Sequence, residues 1–181
     1  MPFIAEKKST FSLASRKQLQ KNLISTCYNL KTLMVNRTRP YSILLIEDNP
    51  GDIRLTQEAF KESKKDVTLE IATDGLDAMK FLRKEGQYAE KATPDLILLD
   101  LNLPKWDGRD ILREIKNDSL LKRIPVVVLT TSNAGSDILK CYELHANCFI
   151  NKPIDFDKFF DIIHKIEEFW FSTAILPTMV V

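Results

Sequence analysis

The segment DLILLDLNLPKWDG (95–108) places four consecutive aliphatic residues, 96–99, directly before an aspartate, Asp100. A run that is apolar at every position, rather than at every second one, is typical of a strand buried on both faces of a parallel sheet. The polar, proline-containing stretch after Asp100 predicts a loop. The segment therefore indicates a buried strand that delivers a carboxylate to one edge of a sheet.

Aliphatic runs and amphipathic stretches alternate in both directions from this segment. They predict five strands, each followed by a helix. The predicted strands cover residues 42–46, 67–72, 95–99, 124–129 and 148–150, and the predicted helices cover 50–63, 74–86, 107–117, 136–144 and 155–171, with Asp74 as an N-cap. Right-handed crossovers then give an α/β fold, a doubly wound five-stranded parallel sheet of (βα)₅ type in the flavodoxin-like order 2-1-3-4-5.

The chain is long enough, at 181 residues, for one domain of ordinary size and an appendage. Residues 1–40 contain eight Lys and Arg but a single acid, Glu6, so a basic leader precedes an acidic body. Two interpretations of the leader stay open, a disordered segment or a start assigned too early. We expect the folded domain at 41–172 and a tail at 173–181, which leaves no room for an output domain.

The cysteines and the hydropathy pattern limit the class of protein. Cys27, Cys141 and Cys148 lack metal-like spacing and predict free thiols in a reducing cytosol. No apolar run approaches the roughly 20 residues of a membrane helix, and the leader lacks the hydrophobic stretch of a secretory signal. The leader also lacks interleaved aromatics, so we expect a cytoplasmic protein that binds neither membrane nor nucleic acid.

Charged and polar residues follow four of the five predicted strands. Glu47 and Asp48 come after the first strand, Asp100 after the third, Thr130 after the fourth and Lys152 after the fifth. Because ligands bind at the carboxyl ends of parallel strands, these side chains are expected to meet at one edge of the sheet. Hydrophobic packing gives no reason for this set, and clustered carboxylates need either a raised pKa or a cation.

Magnesium is the cation that this donor set favours, since it prefers oxygen ligands and is usually held by one or two carboxylates together with phosphate. We expect Asp48 and Asp100 to bind it directly, and Glu47 to act directly or through water. The backbone carbonyl of Asn102 could supply a further oxygen.

A phosphoryl group would suit the remaining residues. The metal would bring the phosphoryl group to the nucleophilic oxygen of Asp100 and neutralise developing charge. Lys152 offers a positive charge to one phosphoryl oxygen, and the hydroxyl of Thr130 can donate a hydrogen bond to another.

Four segments resemble the receiver domains of bacterial response regulators. They are LLIEDNPGD (44–52), DLILLDLNLPKWDG (95–108), PVVVLTTS (125–132) and CFINKPID (148–155), within a resemblance that covers about residues 42–171. The resemblance implies that Asp100 accepts a phosphoryl group from the phosphohistidine of a sensor histidine kinase. It also implies the other roles: Glu47 and Asp48 form the acidic metal pair, Thr130 is the switch hydroxyl, Lys152 is the family's lysine and Phe149 is the switch aromatic.

The connector 87–94 and the ending IEEFWFSTAILP (166–177) are similar to those of cyanobacterial phytochrome-associated response regulators, which lack an output domain. The resemblance implies a bacterial phytochrome as a candidate kinase. Those regulators also pair through the side of the fold that carries the last helix. Here that helix has an apolar stripe, part of which must belong to the core. The stripe is richer in aromatics than covering one sheet edge requires, and the surplus predicts a homodimer surface or a docking surface for the kinase. Its members are Phe156, Phe159, Phe160, Ile163, Ile166, Phe169 and Trp170, widened by Ile162 and Phe171.

Two functions other than that of a non-enzymatic phosphoacceptor are compatible with parts of this pattern. A magnesium-dependent phosphatase of the haloacid-dehalogenase type also uses a strand-end Asp, but it needs a second acid two residues later, where this chain has Asn102. A phosphorylation-independent interaction domain would be expected to lack one of the acids or the lysine, and none is missing. We therefore expect the protein to support only its own phosphorylation and dephosphorylation.

Overall fold

The structure, a computed structural model, describes residues 39–177. The predictions made for residues 1–38 of the basic leader and for residues 178–181 of the tail lie outside the described residues. Within the described part, no helix has both the length and the apolar character needed to cross a membrane.

Five strands and five α-helices alternate along the described chain. The strands are β1 (Tyr41–Ile46), β2 (Val67–Ala72), β3 (Leu96–Leu99), β4 (Val126–Thr130) and β5 (Cys148–Asn151). The helices are α1 (Pro50–Lys61), α2 (Gly75–Leu82), α3 (Gly108–Asn117), α4 (Gly135–Glu143) and α5 (Phe156–Glu168), with short 3₁₀ turns at Gly86–Tyr88 and Leu121–Arg123. All strand pairs are parallel and their order is β2-β1-β3-β4-β5, which confirms the predicted fold.

The sheet is covered by helices on both faces, and successive residues of the central strands contribute to opposite cores. In β1, Leu44 and Ile46 pack with α2, α3 and α4, whereas Ile43 and Leu45 pack with α1 and α5. All four residues of β3 are fully buried. This double burial explains why the strands are aliphatic at every position.

Side-chain caps begin four of the five α-helices, and each cap lies in a loop that leaves the carboxyl end of a strand. Asn49 accepts from the amides of the first turn of α1, and Asp107 accepts from the amide of Arg109 in α3. Asp74 caps α2, as predicted, and Asp155 caps α5. Because a cap satisfies amides that the helix leaves unpaired, these residues fix where each helix starts relative to the strand-end loops.

The last helix differs from its prediction. It was expected to run through 155–171, but α5 ends at Glu168 and the chain continues in a wider π-helical turn, Phe169–Thr173. This turn brings Phe171 inward, where its ring stacks on Tyr41 with centroids 4.2 Å apart. The Tyr41 hydroxyl also donates to the Phe171 carbonyl at 3.1 Å. Phe171 is therefore a core residue, and the prediction that it contributes to a dimer or partner surface is wrong.

Candidate functional site

Backbone hydrogen bonds between strand ends bring the predicted carboxylates together. The amide of Glu47 donates to Ala72 at 3.0 Å, and the amide of Asp100 donates to Ile46 at 3.0 Å, so both residues continue the pairing of the sheet. Glu47 and Asp100 are buried, and Asp48 is more accessible. One carboxylate oxygen from each of the three residues lies within 4.8 Å of the others.

Lys152 reaches the same carboxylates from the end of β5. Its backbone amide donates to the Thr130 carbonyl at 2.8 Å, and its side chain is only 4% exposed. The ammonium group pairs with Glu47 and lies 3.5 Å from the Asp100 Oδ2 atom. The predicted convergence of acids and lysine at one sheet edge is thus present in the structure.

A fourth carboxylate, Asp52, also belongs to this cluster and was missed by the sequence reasoning. Its Oδ2 atom accepts from Lys152 Nζ at 2.8 Å. A signal was available, because Asp52 lies in the first turn of α1 and only four residues after Asp48. An acid in a first helical turn has an ordinary explanation, its favourable interaction with the helix dipole, and this hid the second role.

The ionic balance of the cluster favours an additional cation. Burial raises the pKa of Glu47, and the charge of Lys152 opposes this shift without cancelling it. Burial alone would lower the pKa of Lys152, but the Glu47 charge, hydrogen bonds to Asp52 and Glu47, and the Asp100 charge together raise it. The cluster holds one ammonium group and four carboxyl groups, since Lys152 pairs with Glu47, Asp52 and Asp100, and Asp48 is grouped with Glu47 and Asp100.

The donor set fits a hard divalent cation. In an octahedron with bonds of about 2.1 Å, ligand oxygens lie about 3–4 Å apart, so the three grouped oxygens need only small movements to share an ion. Glu47 and Asp100 each have both oxygens engaged. Glu47 Oε1 accepts from the Asn49 amide at 3.1 Å and its Oε2 atom pairs with Lys152. Asp100 Oδ1 accepts from the Leu101 amide at 2.7 Å, and its Oδ2 atom lies 3.5 Å from Lys152 Nζ. Asp48 is the most accessible of the three acids, and the expectation that Asp48 and Asp100 bind the ion directly, with Glu47 acting directly or through water, stays a prediction.

Thr130 and Asn102 contact each other beside Asp100. Thr130 is fully buried at the end of β4, and its Oγ1 atom accepts from Asn102 Nδ2 at 3.3 Å and from the Ser132 amide at 3.4 Å. Asn102 Nδ2 also donates to the hydroxyl of Thr131 at 3.3 Å. The metal-ligand role of the Asn102 carbonyl stays a prediction.

Phe149 lies on the edge strand β5, directly opposite Val128 of β4. Its ring is partly buried and packs against the core that α2, α3 and α4 cover. The predicted switch aromatic therefore has one side in the core and one side accessible, and its movement stays a prediction.

The loop that carries Asp100 is held by a close backbone approach at Gly108. The Gly108 amide donates to the Leu101 carbonyl at 3.0 Å. A Cβ atom at position 108 would lie 2.3 Å from the Asp100 carbonyl oxygen and 2.6 Å from the Leu101 Cα atom, so only glycine fits. The start of α3 is thereby pressed against the backbone of the proposed nucleophile.

Comparisons with known proteins agree with this geometry. Residues 43–164 match the family of the response regulator receiver domain. The chain is 51% identical to the response regulator Rcp1 of Synechocystis over 138 residues, which is 76% of this chain and 94% of Rcp1. It is 39% identical over 131 residues to a probable methanogenesis regulatory protein, FilR2, of Methanothrix harundinacea, covering 72% of this chain and 84% of that protein.

Solved structures give the same result. The phosphorylated cyanobacterial phytochrome response regulator RcpA matches with a TM-score of 0.75 and 54% identity, covering 77% of this chain and all of that one. The Mn²⁺-bound form of Rcp1 matches with a TM-score of 0.74 and 51% identity, again over 77% of this chain and all of that one. The resemblance inferred from the four sequence segments is therefore confirmed.

Proposed function

This chain belongs to the response regulator receiver family, and we propose from that premise that Asp100 is the residue that accepts the phosphoryl group. The observation that carries the proposal is the position of Asp100. It is buried at the end of the central strand β3, with Lys152 Nζ 3.5 Å from its Oδ2 atom and Glu47 and Asp48 beside it. The donor is a sensor histidine kinase, and the relatives named for phytochrome signalling favour one of phytochrome type.

The proposed transfer forms a bond between an Asp100 carboxylate oxygen and phosphorus while the phosphorus–nitrogen bond of the kinase phosphohistidine breaks. The electron pair of the broken bond stays on the imidazole nitrogen. Lys152 balances the charge of one phosphoryl oxygen, and the hydroxyl of Thr130 donates a hydrogen bond to another. Signal output then follows from a change in conformation and in protein–protein contacts, with Phe149 and Thr130 as the moving residues.

We propose Mg²⁺ as the cofactor, held by Asp48 and Asp100, with Glu47 acting directly or through water and the Asn102 carbonyl as a further oxygen. When bound, the ion supplies neutralising charge for the transfer. The Mn²⁺-bound structure of Rcp1 supports a divalent ion in a relative. The free thiols of Cys141 and Cys148 fit a cytoplasmic location.

The Asp100 assignment predicts that Asp100→Asn gains no phosphate from a small acyl phosphate donor with magnesium, because the amide is not a nucleophile. Intact-mass measurement would detect the added phosphate, and circular dichroism would verify folding. Asp95→Asn is the matched control, since Asp95 is a buried aspartate at the opposite end of β3, where it accepts from the Ser42 amide. A phosphate gain at the wild-type rate in Asp100→Asn would show that the nucleophile is another residue.

The metal assignment predicts that Asp48→Ala loses most of the magnesium affinity, because one of two direct oxygen ligands is removed. Trp106 lies in the loop after Asp100, so its fluorescence should report the titration. Asp161→Ala, which removes an exposed carboxylate on α5, should titrate like the wild type. An unchanged magnesium curve in Asp48→Ala would contradict the ligand set.

The phosphatase alternative is not supported by the family match, and the site gives a chemical reason. The position two residues after Asp100 is Asn102, an amide that cannot transfer a proton as a general acid. We propose that the protein turns over no external phosphate ester. Hydrolysis of p-nitrophenyl phosphate by the purified chain would contradict this.

A further inference from the structure

A chain of four polar side chains joins the loop after β3 to the loop after β4, outside the acidic cluster. Arg109, at the start of α3, donates from Nε to Asp107 Oδ1 at 2.9 Å and from Nη2 to Asp107 Oδ2 at 2.7 Å. Its Nη1 atom donates to Asp137 Oδ1 at the start of α4. The other oxygen of Asp137 accepts from the Ser132 hydroxyl. We call these four residues, Asp107, Arg109, Asp137 and Ser132, the Arg109 clamp.

The clamp has the geometry of a specific interaction rather than a solvated surface pair. Arg109 engages both oxygens of Asp107 in a planar fork and uses its remaining terminal nitrogen on a second helix. The side chains of Arg109 and Asp137 are only 28% and 23% exposed. Burial alone would raise the pKa of Asp107, but hydrogen bonds and charge from Arg109 lower it, so this carboxylate is held ionised.

Both ends of the clamp reach residues of the strand-end site. At one end, the Ser132 amide donates to Thr130 Oγ1 at 3.4 Å, and Thr130 precedes Ser132 by two residues. At the other end, Asp107 adjoins Gly108, whose amide donates to the Leu101 carbonyl next to Asp100. The clamp therefore connects the loop of the proposed nucleophile with the loop of the proposed switch hydroxyl.

We propose that Arg109 and Asp137 are positioning residues that hold Ser132, and through it the hydroxyl of Thr130, in the arrangement of the unphosphorylated protein. The inference rests on the proposed function. The proposed function has Thr130 move towards a phosphoryl oxygen on Asp100. Because the Ser132 amide donates to Thr130 Oγ1, that movement either stretches this contact or shifts the loop 131–134 with it. The bond from Ser132 to Asp137 resists that shift, and Arg109 anchors Asp137 to α3.

A restraint present only in the unphosphorylated arrangement disfavours the phosphorylated one by the free energy of the restraint. Removing the clamp should therefore make the phosphorylation-competent arrangement more populated. For a partly exposed ion pair the expected gain is about two- to fivefold. The clamp residues are not in contact with the three grouped metal-binding oxygens described above, so magnesium affinity should stay unchanged.

The test compares Arg109→Gln with Arg113→Gln. Arg113 is one helical turn further along α3, borders the same surface cavity and pairs with Asp110 of its own helix, so it is a matched control without a link to the Ser132 loop. With acyl phosphate and magnesium, Arg109→Gln should gain phosphate about two to five times faster than the wild type, and Arg113→Gln at the wild-type rate. Amide hydrogen exchange of residues 131–135 should be faster only in Arg109→Gln.

Asp137→Asn provides a second variant, because it weakens the same chain from α4 and keeps the side-chain shape. It should reproduce the faster phosphate gain, and the double variant should show no further gain, since both changes release one restraint. Equal rates in Arg109→Gln and the wild type, or the same increase in Arg113→Gln, would overturn the clamp. A wild type that gains no phosphate would instead contradict the proposed function. If the wild type does gain phosphate but exchange at 131–135 in Arg109→Gln equals that of the wild type, the clamp alone is contradicted.

Discussion

The pKa values of two lysines in the described chain are shifted in opposite directions. Lys152 is surrounded by carboxylates that raise its pKa, so it remains a cation at the proposed phosphoryl site. Lys116 on α3 donates instead to uncharged acceptors, the Ile124 carbonyl and the Asn147 side chain, both at 2.9 Å. Burial lowers the pKa of Lys116 to about 8. The direction of each pKa shift therefore depends on whether the neighbouring acceptors are charged, as around Lys152, or uncharged, as around Lys116.

The lowered pKa of Lys116 predicts a stability change at alkaline pH. The unfolded chain binds the Lys116 proton up to about pH 10.5 and the folded chain only up to about pH 8, so the unfolded state binds more protons between these values. The contribution of Lys116 to stability therefore rises with pH in that window and is constant below it.

Urea unfolding at pH 7, 8, 9 and 10 would measure this contribution by comparing the wild type with Lys116→Met. The free energy of unfolding of the wild type, minus that of the variant, should increase from pH 8 to pH 10, because the variant lacks the titrating group. Subtraction removes the effects of the other titrating residues, which the two proteins share. A difference that stays flat across this range would show that Lys116 is not desolvated in the folded protein.

At the scale of elements, the strands and helix starts could be predicted from sequence because each has a local cause. Double burial makes β3 aliphatic throughout, and Asp74 and Asp155 directly precede the helices that they cap. Helix ends were less accurate. The helix expected to reach residue 86 ends at Leu82, and the chain then turns through positive φ at Lys84 and Gly86. A lysine gives no sequence signal for such a turn.

The residues of the candidate site also fall into two sets, those that could be predicted from the sequence and those that could not. Glu47, Asp48, Asp100 and Lys152 could be predicted because each directly follows a strand, and the parallel topology alone brings strand ends together. Asp52 was missed although it offered a signal, because an acid in a first helical turn has an ordinary explanation. The Arg109 clamp could not be predicted, because its four residues come from different helices and loops. Whether Arg109 meets Asp137 depends on the distance between α3 and α4, which the sequence pattern does not contain.

At the scale of the whole molecule, the structure shows which members of the apolar stripe of α5 belong to the core and which remain exposed. Phe159, Ile163, Ile166 and Phe171 are buried against the sheet, which removes them from the proposed dimer surface. Phe156 and Phe169, at the two ends of α5, remain 66% and 53% exposed, and Ile154 and Ile175 near them are also exposed. The predicted stripe therefore becomes two exposed apolar groups that flank α5.

We propose a second copy of the chain as the occupant of this surface. Burying about 300 Å² of apolar area contributes about 7 kcal/mol before the cost of association, so a micromolar dimer, which needs about 8 kcal/mol after that cost, has to bury further surface around these side chains. Phe169→Asp should abolish dimers that light scattering detects for the wild type at tens of micromolar, because the carboxylate would be desolvated in the interface. Trp170 is unsuitable for the test, since it packs partly against the core.

Leu120→Asp is the matched control for the dimer. It introduces the same charge at a leucine that is 62% exposed in the connection between α3 and β4, outside α5, and should leave the dimer intact. The measurement is repeated after phosphorylation, since the two states of a receiver can present different surfaces. A wild type that is monomeric in both states contradicts the dimer and leaves α5 as a docking surface for the kinase. In that case Phe169→Asp should slow phosphoryl transfer from the kinase without changing the rate of phosphate gain from acyl phosphate, because the small donor makes no contact with α5.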